Sequence, residues 1–224
     1  MPMTQLTRLL FVALTMTTSY ADEHPIQSHT QQIAGASIHY LEGGPPDGLP
    51  VLFLHGAAFH SGTWQELGSL DTLRVHGYRT VAIDLPGYGL SEPSEHAPLK
   101  FMEAVLDTLH MDRPVVLSPS MSGSFSFPLA TQRPDRLRGY VPIAPVGVAR
   151  YSSKFKQITV PTFIIWGTHD NVIPFDQAFA LERGIPDSEI LILEGARHPC
   201  YLDDPEIFHK GLLYFLEKLK ENGD

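Results

Sequence analysis

The chain has 224 residues, a net charge of −9 and one cysteine, Cys200. That length suits one domain and hides roughly 70% of the unfolded surface on folding. The balance of 43% hydrophobic to 18% charged residues is globular and argues against a disordered chain, a coiled coil or a multi-span membrane protein. The acidic balance repels phosphate backbones, so nucleic acid is not an expected partner. A single cysteine excludes an internal disulfide and a cysteine-rich zinc site.

Residues 1–21 carry one charge, Arg8, then an apolar run from Leu9 to Met16, and end Ser19-Tyr20-Ala21. The pattern predicts a secretory signal cleaved after Ala21, and a secreted, periplasmic or secretory-lumen protein. The alternatives are an organelle presequence, a disordered leader, or an uncleaved N-terminal anchor. Only an uncleaved segment would attach the chain to a membrane, and the run is far short of the ~20 residues that span a bilayer. The chain has no Asn-x-Ser/Thr sequon, so N-glycosylation is not expected.

Residues 22–32 are polar and read as a loose lead-in; residues 33–220 read as one domain. A short strand at 37–41 precedes the turn cluster Gly43-Gly44-Pro45-Pro46-Asp47-Gly48. Val51-Leu52-Phe53-Leu54 is continuously apolar, as in strands buried on both faces of a parallel sheet. Residues 64–76 have helical spacing (Trp64, Leu67, Leu70, Leu73) and stop at Gly77. Buried strands follow at 80–83, 114–117, 140–144, 162–166 and 189–193. Helices are expected at 101–111, 121–131 and 205–220. Apolar strands alternating with amphipathic helices predict an α/β fold, a mostly parallel sheet with helices on both faces. In such a sheet, ligands bind at the carboxyl ends of the strands.

Three short runs lie just past strands. The first is Ser118-Pro119-Ser120-Met121-Ser122-Gly123. A nucleophilic serine on a sharp strand-to-helix turn needs small residues two before and two after it. Ser120 satisfies this; Ser122 is the alternative centre, deeper in the helix. The second run, Trp166-Gly167-Thr168-His169-Asp170, offers a carboxylate that orients a histidine. The third, Gly195-Ala196-Arg197-His198-Pro199, offers that histidine. Singly, each reads as a polar turn, a cap or a surface histidine. Together Ser120, Asp170 and His198 stand in the order of the α/β-hydrolase arrangement. A serine hydroxyl is a poor nucleophile until a base takes its proton, and imidazole suits that work. His55-Gly56-Ala57-Ala58 follows the first buried strand. In this arrangement the backbone N–H groups of Ala57 and Met121 hold the oxyanion, and His55 and Gly56 shape the site. Cys200 reads as a small buried hydrophobe, Asp84 as a turn residue or a hydrogen-bonding brace near the site, and Arg197 as a solvated residue. No metal site is expected at His55 and His60, and no phosphate fingerprint implies a nucleotide cofactor.

These runs, with Leu54-His55-Gly56 and residues 82–91 (Ala-Ile-Asp-Leu-Pro-Gly-Tyr-Gly-Leu-Ser), resemble the α/β-hydrolase superfamily. Three details resemble one small subfamily, the α/β-hydrolase domain-containing 14 or CIB group. They are the serine-flanked elbow, Val141-Pro142-Ile143-Ala144-Pro145, and His198-Pro199-Cys200-Tyr201-Leu202-Asp203. The similarity spans about residues 33–218. It implies a Ser120–His198–Asp170 triad, one compact domain, weak general esterase activity and an acyl-transfer role. Larger relatives insert a cap domain after the strand that ends here at Pro145. Only residues 146–161 occupy that place, enough for a short helix and no cap. The expected site is therefore shallow, suited to small acyl substrates or acyl groups carried on a larger partner. Three activities stand: a serine hydrolase on short acyl compounds, an acyltransferase passing the group to a thiol or amine, and a non-enzymatic module on a hydrolase scaffold.

Overall fold

Two chain-adjacent strands pair first. In the computed structural model, which describes residues 23–221, β1 (Gln27–Ile33) and β2 (Ala36–Gly43) form an antiparallel hairpin. Its two connecting residues, Ala34 and Gly35, both have positive φ (50° and 73°), the geometry whose twist matches flanking strands. The lead-in expected over residues 22–32 is thus corrected: most of it is an edge strand. Its side chains, apart from Ile33, lie largely in solvent, so it has no apolar signature and is held by ladder hydrogen bonds. The leader expected over residues 1–21 lies outside the described residues.

β2 pairs antiparallel with β4 (Arg79–Ile83). Beyond β4 the sheet is parallel, through β3 (Pro50–Phe53), β5 (Val115–Pro119), β6 (Gly139–Ile143), β7 (Thr162–Gly167) and β8 (Ser188–Leu193). The eight-stranded order is β1-β2-β4-β3-β5-β6-β7-β8. Alternate residues of each parallel strand feed two cores. Leu52, Val81, Val116 and Ile164 face one. Val51, Phe53, Ala82, Val115, Val141 and Ile165 face the other. Helices cover both faces. One core takes α3 (Pro98–Thr108), α4 (Gly123–Gln132) and α6 (Asp176–Gly184). The other takes α1 (Ser61–Glu66), α2 (Ser69–Val75) and α8 (Pro205–Glu221).

The single helix expected at 64–76 is two helices. Gly68 turns left-handed (φ 78°) between them, and its carbonyl accepts the Thr72 N–H. Helix α6 had no counterpart in the sequence reading; it buries only Ala178 and Leu181, too narrow a stripe to announce itself. Between β6 and β7, α5 (Val148–Tyr151) and a 3-10 segment (Ser152–Gln157) are the only helical elements, and no cap domain is inserted there. A four-residue helix, α7 (Cys200–Asp203), leads into α8. Among the described residues, no helix is long and apolar enough to cross a membrane.

Candidate active site

Ser120 sits where β5 ends, with φ at 51°, a left-handed value that strains a serine. A 3-10 turn (Ser120–Ser122) runs from it straight into α4. The turn closes against the chain after β6, where Val146 N–H donates to Ser120 O at 2.9 Å. Gly123 makes that approach feasible, because a Cβ there would lie 2.4 Å from Val146 O. The flanking serines do more than stay small. Ser118 Oγ lies 3.0 Å from Ser122 Oγ and 2.6 Å from Ser126 Oγ, which in turn lies 2.8 Å from Tyr140 Oη. Ser122, the alternative centre, is fully buried and donates its hydroxyl to Pro119 O at 2.7 Å.

His198 and Asp170 arrive from the ends of β8 and β7. The two loops touch closely: His169 N–H donates to Ala196 O at 3.0 Å, and a Cβ on Gly167 would lie 2.2 Å from that oxygen. His198 Nε2 lies 2.9 Å from Ser120 Oγ, and its Nδ1 lies 2.7 Å from Asp170 Oδ2. The other carboxylate oxygen, Oδ1, accepts the N–H groups of Val172 (2.9 Å) and Ile173 (2.8 Å). The Asp170 side chain is fully shielded and the His198 ring nearly so. With the carboxylate accepting from Nδ1–H, Nε2 presents its lone pair to the serine.

The loop after β3 completes the surroundings. His55 is buried, donates from Nδ1 to Gly56 O at 2.8 Å and accepts Leu85 N–H on Nε2 at 2.9 Å. Burial holds its pKa below the ordinary imidazole value, so it braces the loop as a neutral ring. Gly56 lies against the serine: a Cβ there would be 3.5 Å from Ser120 Cβ. Ala57, the next residue, is exposed; Met121, after Ser120, is half-buried. Trp64 ties this region to the histidine segment. Its Nε1–H donates to Leu54 O at 2.8 Å and its ring stands 4.7 Å from that of Tyr201.

Arg197 departs from its expected solvated state, Cys200 is buried as expected, and Asp84 takes the bracing role. Arg197 is exposed but not merely solvated. Its Nε and Nη2 donate to Asp203 at 2.9 and 2.7 Å, and its backbone N–H adds a third bond at 2.8 Å. These bonds, the side-chain ones first, hold the Asp203 carboxyl down at about 2. Cys200 is buried, and burial, with the nearby Asp170 charge, pushes its thiol up to about 12. It is not a competing nucleophile. Asp84 is a buried hub that accepts Ser61 N–H (2.6 Å), Leu90 N–H (2.8 Å) and His39 Nδ1–H (2.9 Å). Burial alone would raise its pKa; the Leu90 and Ser61 bonds outweigh burial and leave it below the usual range.

Two cavities lie near these groups. One of about 390 Å³ opens beside His198, walled by Phe59, Pro199, Leu202 and the Arg197–Asp203 pair. Another of about 420 Å³ adjoins His39, Asp84 and Ser61, and neither Ser120 nor His198 lines it. Among the described residues no three histidine, cysteine, aspartate or glutamate side chains gather as a metal site.

Comparison with known proteins agrees with this architecture. A model of the alpha/beta hydrolase family matches residues 51–151. The "Putative protein-lysine deacylase ABHD14B" of Pongo abelii is 42% identical over 203 residues, covering 85% of this chain and 95% of that protein. The chain belongs to the α/β-hydrolase family. Within it, the chain fits the ABHD14 group: "Protein ABHD14A" of Mus musculus is also 42% identical, over 75% of this chain and 70% of its own length. The crystal structure of a "predicted CIB-like hydrolase" from Thermoplasma acidophilum superposes with a TM-score of 0.83. It is 25% identical, over 87% of this chain and 99% of its own. This α/β-hydrolase is an enzyme of the hydrolase type.

Proposed function

We propose that this α/β-hydrolase removes short acyl groups from esters or from acylated amines through a Ser120–His198–Asp170 triad and an acyl-enzyme. The observation that carries the reading is the unbroken relay from Asp170 Oδ2 through His198 to Ser120 Oγ, set on a strained turn. The protein-lysine deacylase name of the 42%-identical relative favours an acylated lysine among the substrates.

In the first half-reaction Ser120 Oγ attacks the acyl carbon while His198 Nε2 takes its proton. Asp170 steadies the imidazolium. The backbone N–H groups of Ala57 and Met121 receive the oxyanion; one such donor is typically worth ~2.7–4 kcal/mol in the transition state. His198 then gives the proton to the departing alcohol or amine. In the second half-reaction water enters, His198 accepts its proton, and the acid leaves with Ser120 restored. Without a cap, little apolar wall is available for a long chain, so acetyl-sized groups are the expected substrates.

Treatment of the full chain with a fluorophosphonate, read by peptide mass spectrometry, tests this. The expected product is a label on Ser120 that is lost in His198→Ala. A folded protein that takes no label on Ser120 overturns the reading. Faster turnover of octanoyl than acetyl esters overturns its short-chain part. Acceleration of deacylation by added amines or thiols would turn hydrolysis into transfer on the same triad.

A further inference from the structure

Resting on the acyl-enzyme reading above, we infer that the cavity beside His198 is a leaving-group pocket that selects alcohols or amines with an uncharged apolar stem. Chemistry fixes which side of the serine each part of a substrate takes. The atom that departs must be reached by His198 Nε2, since that nitrogen protonates it. The oxyanion must point to the Ala57 and Met121 side, and the acyl chain takes the remaining direction. The 390 Å³ cavity has His198 in its wall, while Ala57, Met121, Val146 and Ser120 are absent from it. It therefore extends from the side where the leaving group departs.

The walls state what fits. Phe59 bridges to the nucleophile: its ring would lie 3.3 Å from a Cβ on Gly56, the residue packed against Ser120. Pro199 and Leu202 add apolar wall, the latter 40% exposed. Arg197 and Asp203 spend their charges on each other through a two-pronged pair, so the cavity offers a neutral rim instead of a counter-ion. An apolar stem a few carbons long, from a simple alcohol or from a lysine side chain, gains contact there. A charged tail does not.

The step is an ordinary acyl transfer. The Ser120 Oγ–C bond forms, the C–O or C–N bond to the stem breaks, and the stem leaves with the proton that His198 took from Ser120. The pocket acts only in this half-reaction, because the acyl-enzyme no longer carries the stem.

The test uses alkyl acetates, whose alcohols differ in length but little in acidity. Wild-type protein should turn over butyl acetate at least about tenfold better in kcat/KM than methyl acetate. Leu202→Trp, which fills the cavity, should remove that preference while the ratio of methyl butyrate to methyl acetate stays put. Phe59→Trp fills the same space from another lining residue and gives an independent reading if Leu202→Trp unfolds. Nε-acetyl-lysine amide supplies a second arm. If the filling variants slow it as well, lysine stems use the pocket; if they slow only butyl acetate, alcohol stems do. Variants that alter the butyrate-to-acetate ratio instead place the acyl chain there and overturn the inference. So does a wild type blind to alcohol length. Wild-type protein without a Ser120 label defeats the acyl-enzyme reading itself, a separate failure from a labelled enzyme that ignores the alcohol.

Discussion

Two serine–histidine–aspartate chains run through the described residues. In one, Ser120 Oγ meets His198 Nε2 at 2.9 Å and His198 Nδ1 meets Asp170 at 2.7 Å. In the other, Ser28 Oγ meets His39 Nε2 at 2.9 Å and His39 Nδ1 meets Asp84 at 2.9 Å. Atom for atom the hydrogen bonds match, yet the surroundings do not. Ser28 lies in the exposed edge strand β1, on extended backbone inside a regular ladder. Asp84, like Asp170, takes two backbone N–H groups, but here His39 N–H also donates to Ser91 Oγ, whose hydroxyl donates to Asp84 O. That second chain staples the hairpin to the loop after β4. Ser120, by contrast, stands on a left-handed turn at the mouth of a helix, packed beside Gly56. A cavity adjoins each relay, so room alone does not separate them; under the proposed function the strained turn is what sets Ser120 apart.

The sharpest way to break this contrast is to remove each serine. Ser120→Ala should lower kcat for an acetyl ester by about 10⁴-fold or more, whereas Ser28→Ala should stay within about twofold. Equal losses in steady-state assays would sink the distinction. Next come the carboxylates. Asp170→Asn leaves the shape intact but misassigns the imidazole tautomer, so kcat should fall about 10⁴-fold in a protein with unchanged urea midpoint. Asp84→Asn should do the reverse, costing about 2–3 kcal/mol in urea unfolding while the folded fraction keeps its turnover. Gly123→Ala tests the turn itself. Its new Cβ meets Val146 O at 2.4 Å, so the backbone must shift, at a cost of about 1–3 kcal/mol with a loss of kcat.

The smallest effect concerns Asp203, which pins the Arg197 backbone next to His198. Its folded pKa of about 2 lies below its unfolded value. The pair therefore stabilises the fold above pH ~4 and loses that contribution as pH falls toward 2. The pair is solvent-facing, so the gain should be below about 1 kcal/mol. Chemical denaturation of Asp203→Asn against wild type should show a small gap at pH 6 that closes by pH 2.

The same contrast explains what could be read in advance. Ser120, Asp170 and His198 each fall in a short run after a buried strand, and parallel strands such as Val51-Leu52-Phe53 are apolar on both faces. Those signals are local. The Ser28–His39–Asp84 chain is not: its members are brought together across 11 and 45 positions, and although Asp84 falls in a recognisable run, none marks Ser28 or His39. β1 was obscure because an edge strand needs no apolar side chains. The break at Gly68 was hidden because apolar spacing continues through it. Asp203 stood in a recognisable run, but its partner's backbone N–H is visible only in three dimensions.

The buried hydroxyls under the elbow have a consequence for how this sequence can change over generations. Ser118, Ser122, Ser126 and Tyr140 satisfy one another, with Ser122 also donating to Pro119 O. Replacing Ser118 by the glycine common at such turns would remove the central member, leaving Ser126 with Tyr140 Oη and Ser122 with Pro119 O. The two flanks are thus epistatic with two residues that never approach the substrate. A change at either flank therefore alters hydroxyls that lie under the elbow and away from Ser120 Oγ, so its cost depends on which residues stand at 126 and 140.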